Sequence, residues 1–105
     1  MIIKRKLYTK KDTNANLLMN IEGIASISLL GIVALGKLES TINVGDKVFI
    51  NEDNNRTYTI SHIIFNIRED KSQWPKSARK GDTVGLILKN CNIKDIKKGY
   101  SLFKK

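Results

Sequence analysis

The sequence is poor in the residues that carry most protein chemistry. It has one cysteine (Cys91), one histidine (His62), one proline (Pro75) and one tryptophan (Trp74). A lone cysteine excludes an internal disulfide and any zinc site built on cysteine. A lone histidine excludes a metal cluster built on histidines. Long apolar runs are missing as well: the longest, Leu29 to Leu35, falls far short of the roughly 20 residues a membrane-spanning helix needs. No apolar stretch follows the charges of Met1-Ile2-Ile3-Lys4-Arg5-Lys6, so no secretory signal is legible. Cys91 accordingly reads as a buried, reduced thiol, and the chain as a soluble cytoplasmic protein with no membrane contact.

Acid is scarce at both ends. Residues 1–11 hold five basic residues and no acid, whereas residues 12–70 hold four basic against eight acidic, a net of −4. Residues 71–105 hold ten basic residues against Asp82 and Asp95, and the whole chain carries a net charge of +9. Lys, Ile and Asn make up 15, 15 and 10 of the 105 residues, a bias that AT-rich coding would produce without any function attached. Such coding supplies Asp and Glu as readily, so the asymmetry is more informative than the total. If the chain ends lie side by side, the molecule has one basic face that attracts nucleic acid or another acidic surface.

At this length one compact domain is expected, since a second core would lack apolar surface to close. Strand signals dominate it. Ile2–Tyr8 is β-prone, Lys10–Asn16 is a polar arm, and alternation over Ile21–Ser28 reads as a strand that resumes after Gly31 at Ile32–Leu35. Val48–Ile50 is the next strand, ended by the turn cluster of residues 51–55. The longest candidate runs from Arg56 to Ile67, with Tyr58, Ile60 and His62 on one face and a switch of face at Ile63-Ile64. Glu69–Lys80 reads as a polar loop, Thr83–Leu88 and Tyr100–Phe103 as strands, and Asn92–Lys98 as a single helical turn. Short strands at regular spacing, punctuated by Gly and Asn, predict an all-β barrel of six to seven strands, closed because closure removes exposed edges. The arm over residues 1–20 precedes the barrel proper at 21–105.

Two turns share the pattern Gly-Asp-x-Val, at Gly45-Asp46-Lys47-Val48 and Gly81-Asp82-Thr83-Val84. Glycine admits positive φ, the Asp side chain is expected to bond the backbone two residues on, and the valine starts a buried strand. The reading is structural.

Gly31-Ile32-Val33-Ala34-Leu35-Gly36-Lys37-Leu38 meets most of the phosphate-loop pattern, yet Leu38 stands where a metal-binding Ser or Thr is needed. The segment runs into the turn at Gly45 instead of a helix, and Ile-Val-Ala-Leu favours an extended strand. No nucleotide is expected here. His62 reads as a barrel side chain. Glu52/Asp53 and Glu69/Asp70 are adjacent in sequence and form no acid–base couple. No catalytic residue, cofactor or metal is assigned.

Four motifs in order carry a resemblance. They are Gly31–Leu38, Ile42-Asn43-Val44-Gly45-Asp46-Lys47-Val48, Ala78–Leu86 and Ile93–Leu102. From Ile21 to Lys105 the chain resembles the second, β-barrel domain of the translation GTPases, the elongation factor Tu family. The resemblance implies an antiparallel barrel of Greek-key type. It excludes the GTP-binding domain, because no Asn-Lys-x-Asp signature is present, so GTPase activity does not carry over. In that family the barrel contacts ribosomal RNA and the aminoacyl end of tRNA. The segment Arg68–Ser77 matches the tRNA-contacting loop poorly, and the aminoacyl pocket is not transferred. Lys37 matches the family's basic hairpin position.

Two function classes stay open. One is a non-catalytic module that binds RNA or the ribosome through Lys37, Lys76, Arg79, Lys80, Lys97 and Lys98. Trp74 is then available to stack on a base, or caps one barrel end. The other is a protein-interaction module or subunit, with an acidic protein partner and no nucleic-acid role.

Overall fold

The computed structural model describes residues 16–51, 53–65 and 70–105. The expected strand Ile2–Tyr8, the arm from Lys10 to Ala15 and the basic cluster of residues 1–11 lie outside the described residues. So do the last two positions of the expected strand Arg56–Ile67, with Arg68, and the start of the polar loop at Glu69. The molecule is all-β. Its strands are β1 (Leu17–Asn20), β2 (Gly23–Ile27), β3 (Gly31–Lys37), β4 (Ile42–Asn43), β5 (Lys47–Ile50), β6 (Asp53–Ile64), β7 (Ser77–Ala78), β8 (Thr83–Lys89) and β9 (Ser101–Lys104). Two single 3₁₀ turns interrupt them, at Lys71–Gln73 and at Ile93–Asp95, the second where one helical turn is expected. Asn92 closes that turn as a capping box: its side chain accepts from Lys94 N–H, and Asp95 accepts from Asn92 N–H.

Among the described residues seven strands form one antiparallel sheet in the order β1-β9-β5-β6-β8-β3-β2, and β4 pairs with β7 in a small second sheet. The all-β antiparallel architecture is as expected, but the closure is not: among the described residues the ladder is open between β1 and β3. The hairpin explains it. β2 occupies the free edge of β3 from Gly31 to Leu35, so β1 reaches that edge only beyond it. There a single bridge, Met19 to Leu38, spans the gap, flanked by Glu39 N–H to Leu18 O at 2.6 Å and Glu22 N–H to Leu35 O at 2.8 Å. The sheet is curled into a barrel shape around one core but zipped along that seam by only a few bonds.

Alternation fills the interior. Leu18, Met19, Leu38, Ile42, Val48, Ile60, Ile63, Leu86, Leu88 and Leu102 are fully enclosed, each contributing about 1.5–3 kcal/mol of burial. β1 was not legible as a strand, yet Leu18 and Met19 sit at the heart of this core. On β6 the register shifts between Ile60 and His62, so the bulge falls at Ser61, earlier than the expected switch at Ile63-Ile64. The extra residue carries His62 off the inner face and leaves Ile63 inside. A second, smaller apolar cluster of Val33, Ile64 and Ile87 alternates with these inner residues and so lies on the outside of the sheet.

Three turns repeat one design. In Asn43-Val44-Gly45-Asp46, Arg79-Lys80-Gly81-Asp82 and Lys97-Lys98-Gly99-Tyr100 the third residue is a glycine with φ of 97–99°. The fourth N–H donates to the first carbonyl at 3.0 Å in each, the geometry of a type II turn. Each turn then clamps one distant residue by a reciprocal pair of backbone bonds: Ile60, Leu38 and Ile21 respectively. The two Asp side chains do not bond forward as expected. Asp46 and Asp82 accept from the N–H of Asn43 and Arg79, three residues back, each at 2.9 Å, because positive φ at glycine folds the chain onto the start of the turn.

Candidate nucleic-acid interface

The basic residues are positioned by these clamps. Arg79 and Lys80 lead the turn that holds Leu38, and Lys97 and Lys98 lead the turn that holds Ile21. Leu38 bridges to Met19, which lies two residues from Ile21, about 7 Å along the chain. Both turns are therefore anchored on the same short segment, Met19–Ile21. Lys37 ends β3 opposite Thr83 and immediately before Leu38. The fold thus brings Lys37, Arg79, Lys80, Lys97 and Lys98, all exposed, around the seam of the barrel. Among the described residues none of the five enters an ion pair, in contrast to Arg56, which meets Asp95 at 3.0 Å.

Lys76 and Trp74 are placed differently. The Trp74 ring packs on the outer cluster of Val33, Ile64 and Ile87, covering the sheet from outside and not an end of the barrel. It stands edge-on to His62, with ring centroids 5.7 Å apart. Its indole N–H is enclosed and has no hydrogen-bond partner among the described residues. Exposed Lys76 belongs to this group: with Lys71 it faces His62, and its carbonyl accepts from Val44 N–H. Burial first, then the charges of Lys71 and Lys76, hold the His62 imidazolium below its ordinary pKa. His62 Nδ1 lies 3.0 Å from Ser61 Oγ.

Cys91 is half-buried against the core, where burial, with a smaller contribution from the Asp95 carboxylate, pushes its thiol up to about 11. A thiol so raised is a poor nucleophile. The phosphate-loop decoy is an ordinary strand: Gly31–Lys37 runs extended in β3, paired with β8 along one edge and β2 along the other.

One feature was missed from sequence. Beside Lys37, an apolar groove of about 320 Å³ opens between Ala25, Val33, Leu35, Phe65 and Gly85, with Glu22 at its side. The hairpin above it presents Leu29, wholly exposed, at its tip. The signal was available in the 14 residues from Gly23 to Gly36, which carry no charge in a chain that is 28% charged.

Comparison with known proteins places this geometry in context. No family model matches the chain. It is 33% identical over 102 residues to the apicoplast elongation factor Tu of Plasmodium falciparum (isolate 3D7), an alignment taking in 96% of this chain and 24% of that protein. The chain therefore spans about a quarter of the length of this curated relative, and its likeness is to a portion of a translation elongation factor. With so little of the chain left out, the alignment reaches past Ile21 into the N-terminal arm.

Proposed function

We propose that this protein is a non-catalytic binding module built on the second-domain barrel of an elongation factor. It engages RNA or the ribosome through the basic seam, in the cytoplasm. The observation that carries the reading is the convergence of Lys37, Arg79, Lys80, Lys97 and Lys98 on the Met19–Ile21 segment, none of them in an ion pair among the described residues. Exposed cations held on fixed turns attract a polyanion and are released from it by salt. The likeness to part of elongation factor Tu supports a translation-related partner. Nucleotide binding has no part in this reading, since the one candidate loop is a paired strand.

The test is co-sedimentation with ribosomes from cell extract across a salt series. The protein pellets with ribosomes at low salt and is released as salt rises, and the double charge reversal Arg79→Glu, Lys80→Glu releases it at lower salt. Absence of ribosome association at low salt sinks the proposal.

The uncharged hairpin supports a second reading, a protein-interaction module whose contact is Leu29, Leu35 and Phe65, all exposed. In that case association survives high salt and charge reversal, and Phe65→Ala abolishes it.

A further inference from the structure

Among the described residues the seam offers charge without a stacking platform. Tyr100, which completes the Lys97–Lys98–Gly99 turn, is packed against the core. Tyr58 is buried, Phe49 stacks on Phe103 at 5.5 Å, and Trp74 covers the outer cluster. Among the described residues Phe65 is the exception, and its half-exposed ring lies in the groove at the end of β6. Proteins that hold single strands depend on aromatic rings, each base stacked on one being worth about 1–3 kcal/mol. A duplex keeps its bases stacked internally and presents phosphates and, in RNA, 2′-hydroxyls.

The backbones that carry the cations are also pre-set. Arg79-Lys80 and Lys97-Lys98 ride on two turns of the same geometry, each fixed by a glycine at positive φ and two backbone bonds. Backbones held this way lose little freedom on binding, which suits a partner whose charges are themselves regularly spaced. A flexible strand gains less from such an array.

We infer that the seam takes the phosphate backbone of an RNA duplex, by charge and shape, and does not read unstacked bases. This inference rests on the basic-face reading above. With about five phosphates neutralised, duplex affinity falls on the order of 500-fold between 50 and 200 mM salt.

The experiment is fluorescence anisotropy of the full chain with two labelled probes, an RNA duplex of about 16 base pairs and an oligouridylate of the same length. The duplex is expected to bind at least about tenfold more tightly and with the steeper salt slope. Arg79→Glu/Lys80→Glu and Lys97→Glu/Lys98→Glu each weaken it, with unchanged circular dichroism to show that the variants fold. Equal or tighter binding of oligouridylate, lost in Phe65→Ala, overturns the duplex inference and leaves the basic face standing. Binding that neither reversal weakens removes the seam as the site. Failure of both probes to bind at low salt removes the basic-face reading itself.

Discussion

A side chain on Gly36 would meet the backbone of Asn20: its Cβ would lie 2.5 Å from the Asn20 carbonyl oxygen and 3.1 Å from Met19 Cγ. This is where β1 crosses the end of β3 to form the seam, and the contact is backbone on backbone. Gly36→Ala should therefore destabilise the fold by about 3 kcal/mol or more, since a carbonyl held in a strand cannot step aside. Gly45→Ala meets nothing within 4 Å and should lose only the conformational strain of φ 98°, about 1–2 kcal/mol. Urea midpoints for the two variants check the order, and a Gly36→Ala protein as stable as the parent refutes the tight crossing.

Most of the fold was legible because its punctuation is local. The Gly-Asp-x-Val turns announce themselves through glycines that admit positive φ, and the nearly unbroken apolar runs inside β3 and β8 mark strands covered on both faces. What was not legible depends on distant partners. Leu17–Asn20 is too short to reveal a strand, and its role comes from pairing with Ser101–Phe103 across the length of the chain. The third turn escaped notice because Tyr100 stands where the others have Asp, so only its backbone bonds expose the likeness. Four cations of the seam could be nominated from charge, and Lys37 from its match to the family's basic hairpin position. Their separation from Lys76 and Trp74 required knowing which turn clamps which strand.

Cys91 should be slow to alkylate in the native protein. Its pKa is raised above the ordinary value of 9.0 to about 11, so at pH 8 the thiolate is scarcer than in the unfolded chain. Because the folded value is the higher one, the stabilisation is fully present below pH 9 and fades as pH climbs toward 11. Iodoacetamide at pH 8 should react on the order of 10–100-fold more slowly with native protein than with protein in urea. Asp95→Asn should speed the native reaction by removing the nearby charge. Equal native and unfolded rates contradict the buried-thiol description.

His62 and Trp74 form a reporter pair. The imidazole is held below its ordinary pKa of 6.5, so the unfolded chain binds the proton more readily than the folded one. Stability is then complete above pH 6.5 and declines as pH falls through the lower folded value. Trp74 is the sole tryptophan, and the imidazole faces its edge at 5.7 Å. Protonation should quench its fluorescence, with a midpoint below 6.5. His62→Gln should flatten that titration, and Lys71→Gln or Lys76→Gln should move it upward by easing repulsion. A midpoint at or above 6.5 contradicts the burial of the ring.

Leu29 sits at φ 72° with its side chain wholly in solvent. A leucine in the left-handed region costs about 1–2 kcal/mol, and here no burial offsets it. Leu29→Asn keeps the turn, tolerates that φ and avoids the extra unfolded-state freedom of glycine. It should raise stability by about 1 kcal/mol, an increase of about 4–8 °C in Tm for a domain near this size. The effect on binding separates the two functional readings. Lys37 lies at the opposite end of β3, about 20 Å from Gly31 beside the hairpin tip. If the basic seam is the contact, Leu29→Asn gains stability and ribosome co-sedimentation is unchanged. If stability rises while association is lost, the strained leucine belongs to a protein interface, and the hairpin, not the seam, is the working surface.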